Sequence, residues 1–270
     1  MSLLKTAFLL GLLTALFMGI GFILGGMVGL SLAFFLAFIL NFITYFWSDK
    51  IVLSIYGAKE YKDKKLENIV KKLANEAKIP IPKLYIVNLP VPNAFATGRN
   101  PKNSALAVTR GLINILNEEE IEGVLSHEIA HIKNRDTLIA TISATIAGAI
   151  SYLAQFAWYS TFGDRNRNNI LLLPLIIFIP FAAMLIQLAI SRTREYAADY
   201  TGALISKKPN ALASALEKIF EISKKHPING NYATSHLWIV NPFSSNFIIN
   251  LFSTHPPIEE RIKRLREIKV

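Results

Sequence analysis

At 270 residues, 52% hydrophobic and a mean hydropathy of +0.36, the chain is too apolar for an ordinary soluble domain. It has no cysteine, which excludes disulfides and thiolate–metal schemes and leaves histidine and carboxylate as metal ligands. A formal charge of +10 and a pI near 9.7, with no aromatic-interleaved basic stretch, fit an anionic lipid surface and give no sign of a nucleic-acid partner.

Thr6 to Ser48 carries no charged residue and is long enough for two membrane spans. Gly25-Gly26-Met27-Val28-Gly29 reads as the tight turn between them. A signal peptide would have a shorter apolar core and more than Lys5 ahead of it, so residues 1–48 are expected to be a transmembrane hairpin. Residues 49–136 are polar and Lys-rich. Tyr61 to Ala77 has helical spacing, with Leu66, Ile69, Val70 and Leu73 on one side and Pro80 and Pro82 beyond its end. Lys83–Leu89 and Ser104–Thr109 read as strands, and Asn93 to Pro101 between them as a loop or irregular edge. Such a sheet can offer an edge strand to an extended peptide, or be an ordinary hairpin on a helix.

Asn117 and Glu120 form a capping-box-like start to the next helix, with Glu118 and Glu119 suiting its positive end. On that helix stands Ser126-His127-Glu128-Ile129-Ala130-His131, an HExxH pattern. Residues four apart share a helix face, so the imidazoles of His127 and His131 project side by side and can share one zinc ion. Glu128, about 100° round the helix, falls beside the metal, where it can take a proton from water whose pKa the metal lowers. The bland alternative is a helix with two satisfied histidines and a solvated glutamate.

Thr137–Gly163 and Ile170–Ser191 are two more uncharged runs joined by a short polar loop, so residues 137–191 are expected to form a second hydrophobic hairpin. Nearly all Lys and Arg lie outside the two hairpin tips, which places both polar segments in the cytoplasm. Residues 192–270 supply the remainder of the catalytic part. Glu195 and Asp199 share a helix face. Glu195 is the natural third ligand, because two histidines and a glutamate with one open position make a catalytic zinc arrangement. Asp199 can accept a hydrogen bond from a ligating imidazole and fix its tautomer. Read alone, this pair is better taken as a solvated amphipathic face; paired with HExxH across two hydrophobic runs, it reads as a ligand and its support. Lys207–Lys225 reads as a helix, His236–Val240 as β-like, and Ile258–Val270 as a basic helix. His226 and His236 have no partner spacing. His255 is either a cap-region residue or a donor reaching the metal site to steady a transition state.

Together these pieces resemble the HtpX family of membrane-bound zinc metallopeptidases over nearly the whole chain. The resemblance is carried by the N-terminal apolar hairpin, Asn93-Ala94-Phe95-Ala96-Thr97-Gly98, the HExxH run, Ser191-Arg192-Thr193-Arg194-Glu195-Tyr196-Ala197-Ala198-Asp199 and Phe252-Ser253-Thr254-His255-Pro256-Pro257. It implies a mainly α membrane protein, with up to four transmembrane helices and an α+β zincin-like cytoplasmic domain containing a small β-sheet. It implies one Zn2+ per chain on His127, His131 and Glu195, Glu128 as general base, Asn93, Ala94 and Phe95 near the substrate, and His255 close to the active site. The activity implied is quality-control cleavage of misfolded or damaged membrane proteins at the cytoplasmic side of the cell membrane, with membrane lipid as a partner. A CaaX-prenyl-protein-type peptidase shares the HExxH and ExxxD pieces on a longer chain with more spans. A non-catalytic zinc-containing scaffold is the remaining alternative.

Overall fold

The computed structural model describes residues 2–140, 142, 192–225, 237–239 and 256–270. The expected second hairpin, residues 137–191, lies almost wholly outside them, as do His226, His236 and His255. The first helix, α1 (Ser2–Ile55), leaves helical geometry at Gly25 (φ −149°, ψ 19°) and Gly26 (φ 57°, ψ −140°). A positive φ of this kind strains any residue with a Cβ, and glycine adopts it freely. The chain reverses there. A Cβ on Gly21 would lie 2.3 Å from the Gly29 carbonyl oxygen, and one on Gly29 2.1 Å from that of Gly21, so the two arms touch backbone to backbone. Thirty-one residues apart in sequence, Asn41 donates from Nδ2 to Leu10 O (3.3 Å) and also to Thr14 Oγ1 (2.8 Å). The stretch Gly25–Trp47, 23 residues of mean hydropathy 2.2, is long and apolar enough to cross a bilayer; at 1.5 Å per residue it covers about 34 Å.

The polar part is a small mixed sheet with helices on one face. Its elements are β1 (Lys59–Glu60), α2 (Lys64–Ala77), β2 (Lys83–Val87), β3 (Ala94–Asn100), β4 (Asn103–Thr109), α3 (Arg110–Ile115), α4 (Glu118–Lys133), α5 (Arg192–Ser206), α6 (Pro209–Lys225) and α7 (Ile258–Glu267). Strand order is β1-β2-β4-β3, with β2 parallel to β4 and the outer pairs antiparallel. Side chains alternate across a strand. Accordingly Leu106 and Val108 of β4 join the helical core with Leu73, Leu125, Ile129, Leu216 and Leu265. Ala105 and Ala107 face the other way, where Val52 and Leu53 at the end of α1 pack against Val87 and Phe95.

Of the two readings of Asn93–Pro101, loop or irregular edge, the structure has the second: Ala94–Asn100 is an edge strand paired antiparallel with β4, with a register shift between Gly98 and Asn100. Residues 94 to 98 are all buried, so the period-2 polar signal of a half-solvated strand is missing from the sequence. Leu237–Ile239 is bent rather than extended. The Asn93 side chain satisfies its backbone in place of a strand partner, donating to Leu237 O (3.1 Å) and accepting from Ile239 N (3.0 Å).

Candidate active site

Helix α4 starts as its sequence dictates. Glu120 N donates to Asn117 Oδ1 and Asn117 N to Glu120 Oε2, both at 2.9 Å, closing the capping box. Its buried carboxylates are paired outward: Glu120 with Lys218 (2.7 Å), Glu122 with Lys72 (2.6 Å) and Lys208 (3.1 Å). The helix that carries the histidines is thus pinned to both α2 and α6. Helix α5 crosses it closely along Glu195, Asp199 and Gly202, a stripe spaced i, i+4, i+7. A Cβ on Gly202 would sit 3.0 Å from the His127 backbone N and Cα, which cannot give way as a side-chain tip can. Gly202→Ala is therefore expected to lift α5 off α4, costing about 1–3 kcal/mol by overpacking. The checks are thermal unfolding in detergent and bound-metal content; an unchanged melting temperature and metal content would mean that the contact is slack.

The donor atoms of His127, His131 and Glu195 converge within 4.8 Å of one another. His127 Nε2 is 3.2 Å from His131 Nε2. Glu195 Oε1 is 3.4 Å from His131 Nε2, and its Oε2 is 3.8 Å from His127 Nε2. Ligands at about 2.0–2.1 Å around a tetrahedral ion are separated by about 3.3–3.4 Å, so these spacings fit. The ring partners fix the tautomers. Asp199 Oδ1 lies 2.9 Å from His127 Nδ1, and Asp136 Oδ2 lies 3.3 Å from His131 Nδ1. A carboxylate beside each Nδ1 favours the proton on that nitrogen, the tautomer in which both Nε2 lone pairs face inward. Two lone pairs facing each other call for a cation between them. Burial pulls the His131 imidazolium down, but Asp136 and Glu195 outweigh it and lift the group to about 10, so without an ion a proton on Nε2 answers the same carboxylate charge, and an ion bound there would take that proton's place. Four carboxylates (Glu128, Asp136, Glu195, Asp199) meet two guanidinium groups (Arg194, Arg261), and the formal imbalance suits a divalent ion.

Glu128 is buried beside this triangle, not on it. Its Oε2 accepts the backbone N–H of Ala96 at 2.8 Å. Burial pushes its carboxyl up, which His127 and His131 only partly oppose. Ala96 lies on the edge strand next to the predicted trio Asn93, Ala94 and Phe95. Asn93 uses its amide on residues 237–239, and the Phe95 ring packs on Tyr56 at 5.2 Å, so neither side chain is held ready for a ligand. What the strand presents to the base is its backbone.

Two participants escape the sequence reading. Arg261 is fully buried, donating from Nε to Asp199 Oδ2 (2.8 Å) and from Nη2 to Asp199 Oδ1 (2.7 Å). Its Nη1 lies 3.5 Å from Glu195 Oε2, and Nη2 lies 3.4 Å from His127 Nε2. Its signal was an arginine at a stripe position among Ile258, Ile262 and Leu265 on a helix otherwise basic on its outer side. Asp136 comes five residues after His131; the left-handed Arg135 (φ 60°) turns the chain so that Asp136 folds back on the ring.

A small sheet whose edge strand flanks an HExxH helix, with a carboxylate brought in from a later helix, defines a metallopeptidase. The model of peptidase family M48 matches residues 60–269, and the chain belongs to that family. A Protease HtpX homolog of Pyrococcus furiosus is 55% identical over 274 residues, covering 98% of this chain and 95% of that protein. One from Thermodesulfovibrio yellowstonii is 50% identical, covering 98% of both. Among solved structures, the crystal structure of S. mikatae Ste24p aligns with TM-score 0.52 at 19% identity, over 94% of this chain and 62% of that one, which shows likeness of fold alone. The protein is a membrane-associated metalloprotease of the HtpX type.

Proposed function

We propose that the chain is a zinc-dependent endopeptidase of the cell membrane, anchored by more than one span, with its catalytic part on the cytoplasmic side. Its substrates are misfolded or damaged membrane proteins, a role in quality control and stress response. The observation that carries the chemistry is the triangle of His127, His131 and Glu195 at tetrahedral spacing with Glu128 alongside. Zinc suits two imidazoles and one carboxylate with a fourth position open. Bound there, it would act as a Lewis acid on the scissile carbonyl and lower the pKa of water.

The chain's own residues do the rest. Glu128 accepts a proton from water and passes it to the leaving amine. The Ala96 N–H fixes one Glu128 oxygen and leaves the other for the water. Asp199 and Asp136 hold the two imidazoles in register. Among the described residues the outer edge of β3 has no strand beside it, and it can take an extended peptide as an added strand, its carbonyl delivered next to Glu128. The Lys and Arg distribution supports the cytoplasmic placement.

The test is metal analysis and proteolysis of an unfolded protein by detergent-purified chain beside Glu128→Gln. The variant is expected to keep its zinc and melting temperature while losing about 10²–10⁴-fold in rate. Persistent cleavage by the variant would remove Glu128 from the mechanism.

A further inference from the structure

We infer that the catalytic centre stands at a set height above the bilayer and cuts membrane-anchored chains within about three to five residues of the end of their span. This rests on the proteolytic reading above and names the substrate class of that same site.

The lipid boundary is marked on α1. Phe42, Tyr45, Phe46 and Trp47 form one aromatic group at the end of the apolar stretch Gly25–Trp47, with ring centroids 4.6 Å apart for Phe42 and Phe46 and 5.0 Å for Tyr45 and Phe46. Asp49 and Lys50 follow at once. Such a girdle sits at headgroup level. The helix does not stop there. It runs on to Ile55, and Val52 and Leu53 are buried against the sheet through Val87, Phe95, Ala105 and Ala107. The catalytic part is thus mounted directly on the protruding end of a membrane helix, with no flexible linker between them.

The edge strand lies along this post. The Phe95 ring is 5.2 Å from Tyr56, and the Arg99 guanidinium is 5.1 Å above Phe46. Ten residues of helix span about 15 Å and four of strand about 13 Å, so the two elements run nearly antiparallel side by side. The Arg99 end of β3 is at the lipid boundary, and the Phe95 end points away from it. The base marks the catalytic level on this scale, through the Ala96 N–H that it accepts. Ala96 is three residues from Arg99, about 10 Å above the boundary. An extended chain leaving the bilayer covers that height in about three residues, and headgroup depth adds about two. Antiparallel addition, the more stable pairing, puts the N-terminal side of the added strand at the lipid. The anchor then precedes the cut.

The experiment uses the full-length protein in phosphatidylglycerol-containing vesicles. The substrate is one apolar span followed by a uniform flexible repeat in which every peptide bond is chemically equivalent. Products are read by mass spectrometry, with the soluble repeat as companion substrate and Glu128→Gln as control. The expected cuts cluster about three to five residues after the span, and residues inserted further along the repeat leave them in place. A second arm inserts seven helix-forming residues after Trp47, raising the sheet by about 10 Å; the cuts are expected to move outward by about three residues. Cuts spread evenly along the repeat, or counted from its free end, would overturn the height rule while leaving the protease reading intact. So would an insertion variant that digests the soluble repeat yet cuts the anchored one at the original place. If the insertion variant digests neither, the wild-type cut positions decide. If wild-type protein cleaves neither substrate, both readings fall.

Discussion

Arg261→Met is expected to destabilise the protein by about 3–5 kcal/mol, the cost of leaving a buried charge without its partner. Asp199 is 4% exposed and Arg261 fully buried, so water cannot replace the lost guanidinium. Burial alone would push the Asp199 carboxyl up, but Arg261 more than offsets this and holds it at about 2, below the ordinary 3.8. A depressed carboxylate contributes stability above its unfolded value and loses it as the pH falls toward the folded one. The pair's contribution is therefore intact at pH 5–8 and fades only from about pH 4 down toward 2, so mild acid does not reproduce the substitution. The double variant Arg261→Met with Asp199→Leu removes both charges. It is expected to recover most of the melting temperature. It does not restore the support of His127 Nδ1, and metal affinity stays about 10–100-fold weak. Equal melting temperatures for the single variant and the wild type, by thermal unfolding in detergent, would show that the pair is energetically idle.

Glu195→Ala is the complementary case. It removes a donor from the metal triangle and is expected to weaken metal binding by well over the roughly 100-fold typical of supporting residues. The fold is expected to survive at a lower melting temperature: the change withdraws one carboxylate from a cluster that holds more anions than cations, but it also loses the ion that fastens α5 to α4. Proteolysis should fall with metal occupancy, and added Zn2+ in large excess should restore little of it. Elemental analysis of purified protein, with circular dichroism as the check on folding, decides the matter. Full metal occupancy in the variant would remove Glu195 from the ligand set.

What could be read directly from the chain was what depends on local spacing. His127 and His131 four apart, Asn117 and Glu120 three apart, and the glycine pair at the reversal of α1 are near-neighbour rules, and each element stands where those rules put it. Glu195 was recognisable because its role needed only a carboxylate on a helix after a hydrophobic run. The parallel pairing of β2 with β4 was not legible, since nothing local in either strand specifies a partner. Strand β3 was legible only as one of two readings, loop or irregular edge, because it is buried and interrupted by Gly98, which reads as a breaker but here allows φ 127° at the register shift. Arg261 was hidden for a different reason. A lone arginine in an apolar stripe looks like a flaw in an amphipathic helix until the acid it meets, 62 residues earlier, is known.

The pairing of His131 with Glu195 bridges sequence positions 64 residues apart, and Asp136 with Arg194 closes the same gap from inside. An ion gripping both ends fastens a large loop in the way a covalent staple does. By chain-entropy reckoning, such a fastening is worth about 4 kcal/mol. Demetallation should therefore loosen the seam between α4 and α5 before anything else, and a single nick anywhere in the bridged loop should leave the loaded halves joined.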